Sequence, residues 1–223
     1  MAAFTLPKTL SAALNTSQVN ACCPCGKTAE DTFIGKVKEW GLSNYAAWQV
    51  VEIYHLCLRN AWRPPIVYQG MYNMLTRDVE KELFPAIRSC GMCFYAYNPL
   101  AGGLFTGKYS FHDDPKSGRF TSETFWGNKY RSRFWHKSMF DALDTINSLA
   151  DKHNSSLLSV AMRWLVHHSK LGQGDAVIIG GSSVQHIESN VDACREGPLP
   201  EELVQAIDAA WESSRHICPN YFR

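Results

Sequence analysis

Residues 98–109, reading Asn-Pro-Leu-Ala-Gly-Gly-Leu-Phe-Thr-Gly-Lys-Tyr, come within one residue of a phosphate-binding loop. Gly102, four intervening residues and the pair Gly107-Lys108 have the spacing in which glycine amides and a lysine surround nucleotide phosphates. Tyr109 stands where a serine or threonine hydroxyl would hold magnesium. The residues that follow, with Asp113, Asp114, Pro115 and Gly118, form a loop where such a site would start a helix. The stretch therefore argues against an NTPase and leaves two readings, a glycine cradle for a diphosphate or a surface loop. A second anion site follows from residues 180–190, Gly-Gly-Ser-Ser-Val-Gln-His-Ile-Glu-Ser-Asn, which place Ser182 and Ser183 at a helix start. Hydroxyls and free backbone N–H groups there suit a phosphate, or serve as an ordinary N-cap. Two such sites, each after a parallel strand, together suit one elongated bis-phosphate: a dinucleotide held without a GxGxxG fingerprint.

The thiols give a weaker signal. Cys22, Cys23 and Cys25 are clustered, but no second ligand pair follows at zinc spacing, so no metal ligands are assigned. Cys57, Cys90, Cys93, Cys194 and Cys218 lie in apolar segments and read as reduced thiols of a cytoplasmic protein.

Elements that must position these residues alternate from about residue 34 onward. Residues 36–44, 66–73, 92–100 and 176–183 read as strands, the last buried on both faces. Residues 45–60 read as a helix whose apolar stripe is Trp48, Val51, Tyr54, His55 and Leu58. Residues 79–91 form a helix that Pro85 kinks or breaks and Gly91 closes. Residues 139–154 and 156–170 supply two helices after a long loop, and residues 184–194 and 200–216 two more. Strands separated by helices throughout predict a parallel sheet with crossover helices. Composition shifts near Phe33, so residues 1–33 are expected to be a separate, unstructured leader and residues 34–223 the folded unit. The first twenty residues lack acidic side chains and arginine and carry only Lys8, a poor match to a targeting peptide.

Composition narrows the function. With a formal net charge of +1 there is no basic excess for nonspecific nucleic-acid binding. No apolar run approaches the roughly 20 residues of a spanning helix, so neither nucleic acid nor membrane is the expected partner.

Several ordered stretches together resemble the aldo-keto reductase family, in the branch of aflatoxin aldehyde and succinic semialdehyde reductases. They are GLSNYAAWQV, VYQGMYN, YAYNPLAGGLFTGKY, GRF, GNKYRSRFW, RWLVHH, DAVIIGGSS and the terminal CPNYFR, running from about Gly35 to Arg223. The resemblance implies an α/β fold, part of a (β/α)8 barrel comprising its last four strands and their helices, with NADP(H) as cofactor. It implies that Ser43, Asn44 and Gln69 bond the nicotinamide carboxamide and that the Tyr97 ring stacks on the nicotinamide. Asn98, Pro99, Leu100, Ala101, Gly102, Gly103, Leu104, Phe105, Thr106, Gly107 and Lys108 would line the pyrophosphate and ribose, and Arg119 would also contact the cofactor. Ser182, Ser183, Val184, Gln185, His186, Ile187, Glu188, Ser189 and Asn190 would hold the adenosine and its 2′-phosphate. His186 replaces the glutamine usual in the family. Tyr130, Arg133 and Arg223 would hold a carboxylated aldehyde, arginine being suited by its planar fork. Trp126 and Trp164 shape the pocket or, for Trp164, serve the core.

The family's catalytic constellation, a tyrosine acid with lysine, aspartate and histidine, has no counterpart in this sequence, so no catalytic residue is assigned. Residues 25–35 resemble the segment after that tyrosine, which would put Cys23 near its place. Tyr45 follows the nicotinamide-binding pair, but nothing makes it the acid. A half-barrel also bares two strand edges and an inner face. The expectation is a truncated reductase, inactive alone, or a noncatalytic subunit that pairs with itself or with a full-length relative.

Overall fold

Leu42, Tyr68 and Phe94 are in register on three neighbouring parallel strands and are all almost completely buried. They show how the sheet is organised in the computed structural model, which describes residues 37–223. The strands are β1 (Gly41–Ser43), β2 (Val67–Met71), β3 (Cys93–Tyr97) and β4 (Ala176–Val177), in the order β1-β2-β3-β4 with every pair parallel. Between β1 and β2 runs α1 (Ala47–Arg59), and between β2 and β3 a 3-10 turn (Asp78–Glu80) and α2 (Leu83–Ser89). After β3 come a 3-10 segment (Ala101–Thr106), α3 (Phe125–Phe134), α4 (Lys137–Lys152) and α5 (Leu157–His167). After β4 come α6 (Val184–Arg195), α7 (Glu201–Ser214) and a last 3-10 turn (Arg215–Ile217). The parallel sheet with helical crossovers expected from the alternation is present. Residues 1–33, with Cys22, Cys23 and Cys25, lie outside the described residues.

Because side chains alternate across a strand, each register row belongs to one face. The Leu42–Tyr68–Phe94 row faces the helices: Tyr68 stacks on Phe94 at 6.0 Å, and Phe94 meets Phe84 of α2 edge-on at 4.8 Å. Gly70 makes room for this packing, since a Cβ there would lie 2.5 Å from the Phe94 ring. The opposite face carries the row Ser43–Gln69–Tyr95, with Tyr97 one repeat further along β3. That second face is where polar side chains collect.

The structure refines four local readings. In α1 the buried side chains are Ala47, Val50 and Cys57, whereas Trp48 and Leu58 are 64% and 51% exposed. Small side chains let the helix lie close against α2, so close packing outweighs bulk in choosing the face. The helix expected over 79–91 is broken before Pro85, into the 3-10 turn and α2; Pro85 sits in the first turn of α2, where the missing N–H has no intrahelical partner to lose. The fourth strand is only two residues long, and Ala176 to Ile179 are half-buried, because it lies at the edge of the described sheet with one neighbour. Finally, part of the long loop is helix α3, started by Thr124, whose hydroxyl accepts from the Gly127 N–H at 3.0 Å.

A two-residue strand needs further attachment, and Asp175 supplies it. Its carboxylate, buried to 4% exposure, accepts both guanidinium N–H groups of Arg88, the Phe94 N–H at 2.7 Å and the Gly172 N–H at 2.8 Å. The Ile178 N–H, donating to the Ala96 carbonyl at 2.8 Å, extends the ladder past β4. Trp164 is core: it is 1% exposed and covered by the Arg77 guanidinium at 4.2 Å, which also pairs with Asp208 on α7.

Candidate active site

Three strand ends build the floor of the site. Ser43 ends β1, Gln69 stands in β2 and Tyr97 ends β3, all at the same end of the sheet. Asn44 turns the chain away from β1 in the left-handed region (φ 64°), which asparagine tolerates better than most residues. Its Nδ2 donates to Ser43 Oγ at 3.1 Å and its Oδ1 accepts from Tyr97 OH at 3.4 Å. Burial raises the Tyr97 pKa, while nearby Arg133 and Arg223 pull it the other way.

One wall comes from α3, where Tyr130 and Arg133, three residues apart, share a helix face. Tyr130 OH donates to Asn98 Oδ1 at 3.3 Å and accepts from Arg119 Nη1 at 3.0 Å; the Arg119 guanidinium also lies 5.4 Å from the Tyr130 ring centre. Gly102 permits this arrangement twice over. Its φ is 74°, and a Cβ there would lie 2.7 Å from the Tyr130 ring. Gly102→Ala is therefore expected to push Tyr130 off its place and to cost about 1–3 kcal/mol of backbone strain. A thermal melt and ligand titrations on the variant check both effects.

Ser43, Asn44, Gln69, Tyr97, Arg119, Trp126, Tyr130, Arg133 and Arg223 line one cleft of about 380 Å³. All eight strand-end, arginine and tyrosine candidates outside the glycine stretch and the 182–190 helix thus converge, and Trp126 takes the pocket-shaping place. The cleft is electropositive. Lys129 lies close enough to Arg133 and Arg223 for its pKa to be lowered by burial and by both guanidinium groups. Arg133 is itself lowered by burial and by Arg223, with Tyr97 opposing. Among the described residues, none of Arg119, Lys129, Arg133 and Arg223 has a carboxylate partner in an ion pair. Three lining arginines without a carboxylate partner among the described residues, with Lys129 near two of them, favour an anionic ligand, to which a guanidinium can offer a forked, bidentate contact. The sequence reading missed Lys129, which has no motif of its own.

The remaining candidates flank the cleft without lining it. Of the 98–108 stretch, Ala101, Leu104 and Phe105 are buried in the core, Pro99 is buried too, and Thr106, Gly107 and Lys108 are exposed. Gly102, Gly103 and Gly107 all have positive φ; the Gly103 and Gly107 N–H groups donate to Leu100 O at 2.8 Å and Leu104 O at 3.3 Å, whereas Asn98 Nδ2 is buried with no partner. The next α-helix begins only at Phe125, so the stretch is not an NTPase loop. At the start of α6, Ser183 Oγ accepts from the His186 N–H at 3.3 Å and Ser182 Oγ lies 3.2 Å from His186 Nδ1. Val184, Gln185, Glu188 and Ser189 are exposed, Ile187 is half-buried, and buried Asn190 donates to Gly180 O while its Oδ1 has no partner. Both segments leave the paired strands β3 and β4 at the same end, next to each other.

Two chemistries find no support among the described residues. No three His, Cys, Asp or Glu side chains are grouped to hold a metal ion, and no helix is long and apolar enough to cross a membrane. Tyr45 packs against the core and does not line the cleft.

The family model described as "Aldo/keto reductase family" matches residues 30–212. Aflatoxin B1 aldehyde reductase member 2 of Homo sapiens is 51% identical over 198 residues, which cover 85% of this chain and 55% of that protein. Its namesake in Rattus norvegicus is 50% identical over 198 residues, covering 85% of this chain and 54% of that protein. Aldo-keto reductase family 7 member A3 of Homo sapiens is 48% identical over 198 residues, 85% of this chain and 60% of its own length. The chain spans about half the length of the curated relatives it matches.

Proposed function

Because the chain belongs to the aldo/keto reductase family, we propose that it carries the cofactor-binding and aldehyde-binding half of an NADP(H)-dependent aldehyde reductase. In this reading the four parallel strands are the last four of a (β/α)8 barrel, and the cleft sits at their C-terminal ends, where such barrels place their sites. The cleft with its three lining arginines carries the proposal. NADPH, when bound, supplies the hydride that reduces the aldehyde carbon. Ser43, Asn44 and Gln69 hold the carboxamide end and Tyr97 offers a ring for stacking. The orphaned Asn98 Nδ2 donor fits a pyrophosphate, and Asn190 Oδ1, also orphaned, fits a donor on the adenosine side. His186 in place of glutamine changes the contact there. Arg133 and Arg223, with Tyr130, hold a carboxylate on the aldehyde.

Among the described residues, no side chain lining the cleft takes the place of the tyrosine acid with its lysine, aspartate and histidine, so the 223-residue chain alone is expected to bind and not to turn over. The free cysteines Cys90, Cys93, Cys194 and Cys218 suit a reducing, cytoplasmic setting. Titration with NADPH, followed by tryptophan fluorescence and melting temperature, tests the reading. Saturable binding is expected, with stabilisation of about 2.7 kcal/mol at a hundredfold excess over Kd. A chain that melts cooperatively but shows neither signal refutes it.

A second reading is favoured by the edges: β1 and β4 each have one neighbour in the described sheet, and Trp48, Leu58 and Ile66 are exposed. On this reading the chain is a noncatalytic subunit that pairs with itself or with a full-length reductase. Sedimentation of the purified chain as a monomer at all concentrations counts against self-pairing.

A further inference from the structure

The N-terminus of α1 lacks a capping side chain of its own, because its N-cap residue is Ala46. A helix start leaves four N–H groups to be satisfied. Gln49 Oε1 accepts from the Ala46 N–H at 2.8 Å, and the next donor, the Ala47 N–H, goes to Tyr221 OH at 3.1 Å. That hydroxyl comes from 174 residues away. The same phenol donates to the carboxylate of Glu82, which sits just before α2, and the Tyr221 ring is 6% exposed. Two residues later the chain makes a second contact: the Arg223 N–H donates to the Asn44 carbonyl at 3.1 Å. Residues 221–223 thus form a strap across the end of the sheet. It is fixed at Tyr221 to two helix starts and at Arg223 to the turn that carries Asn44. Phe222, between these anchors, is partly exposed and packs edge-on against Tyr221 at 5.1 Å.

We propose that Tyr221 is a positioning residue that holds Arg223 over the cleft and so sets the affinity for a carboxylated ligand; this rests on the reading that Arg223 binds that carboxylate. Arg223 is otherwise exposed and repelled by Arg133 and Lys129, which share its surroundings. Left to itself, a long, exposed charged side chain turns to solvent. The phenol opposes that by anchoring the backbone two residues upstream. A hydroxyl shared between a helix N–H and a carboxylate suits this task, because each partner belongs to a different element and neither can move without the other.

The test is a double-mutant cycle on the 223-residue chain saturated with NADPH. Succinate is the carboxylate probe and succinamide the neutral control, and both are followed by calorimetric titration. Tyr221→Phe keeps the ring and removes both hydrogen bonds, and is expected to weaken succinate about tenfold, the loss of one charge-assisted contact. Succinamide affinity should stay within about twofold, and in an Arg223→Ala background Tyr221→Phe should have no further effect on succinate. Wild-type succinate affinity in Tyr221→Phe overturns the proposal. So does an equal loss in both backgrounds, which marks a merely structural role. Should Tyr221→Phe fail to fold, Glu82→Gln, which leaves the phenol in place but weakens its anchor, is expected to shift succinate in the same direction by a smaller factor. An unchanged affinity there overturns the proposal as well. A wild-type chain that binds NADPH but not succinate removes the carboxylate reading and Tyr221's role together. Succinate binding that ignores Tyr221 removes only the strap.

Discussion

Asp175→Ala is expected to destabilise the chain by about 3–5 kcal/mol, the loss typical when one partner of a buried ion pair is removed. Four donors converge on this carboxylate and alanine takes the acceptor from each: two guanidinium N–H groups of Arg88 and the backbone N–H groups of Phe94 and Gly172. The side chain of Arg88 is 37% exposed, so it regains some water, which puts the expected loss toward the lower end of that range. The buried Phe94 N–H has no such relief, whereas Gly172 is exposed and its N–H can turn to water. Their position matters, because Phe94 lies in β3 and Gly172 precedes β4, which holds only two residues. The segment leading from β4 to Ser182, Ser183 and α6 should therefore loosen together with the strand. Asp175→Asn keeps the shape and one acceptor oxygen but turns an amide N–H toward a donor, so an intermediate loss is expected. Urea denaturation of the three proteins measures this. A loss below about 1 kcal/mol for the alanine variant would mean that the β3–β4 ladder, not Asp175, holds the edge strand.

Local pattern explains which parts of this fold were legible. The alternation of β-branched strands with helical stretches predicted the parallel sheet, since a parallel pair requires a crossover. The cleft was legible because Ser43, Asn44, Gln69, Tyr97, Arg119, Tyr130, Arg133 and Arg223 belong to ordered stretches resembling one family, and all eight meet. Helix α3 was not legible, because its sequence, Phe-Trp-Gly-Asn-Lys-Tyr-Arg-Ser-Arg-Phe, shows little apolar periodicity. Its start was nonetheless marked, by a threonine three residues before Gly127. The face of α1 was half legible: Val51 and Tyr54 do pack against the core, but Trp48 and Leu58 outrank Ala47 and Val50 in hydrophobic area, yet the smaller pair is the buried one. What no local pattern reports is a bond between distant positions. Asp175 reaches Arg88 across 87 residues, and Tyr221 reaches Ala47 across 174. An aspartate before a short strand and a tyrosine near a chain end look ordinary until the fold brings their partners to them.

Arg133→Glu is expected to lower succinate affinity at least about a hundredfold, and at the same time to leave the melting temperature unchanged or higher. The first effect follows from geometry. Arg133 is half-buried, shares a helix face with Tyr130, and lies near Tyr97 and Arg223 in the cleft. Glutamate there removes a forked donor and places a negative charge where a carboxylate must sit. Arg133→Lys separates the two causes, since it keeps the charge but loses the fork, and roughly a tenfold loss is expected. The second effect follows from the company Arg133 keeps. Burial and Arg223 both oppose its charge, and Lys129 is disfavoured by the same neighbours. Concentrating like charges in a cleft works against folding, and a glutamate among Arg223, Lys129 and Arg119 would neutralise part of that repulsion. A site that binds anions and a fold at its most stable are thus in conflict at this position, as is common where function sets the residue. Calorimetric titration at two salt concentrations, paired with thermal melts, checks both halves. Equal succinate affinity in Arg133→Glu would remove the arginine from the site. Lost affinity with a lowered melting temperature would instead make Arg133 a structural residue whose loss empties the cleft by unfolding it.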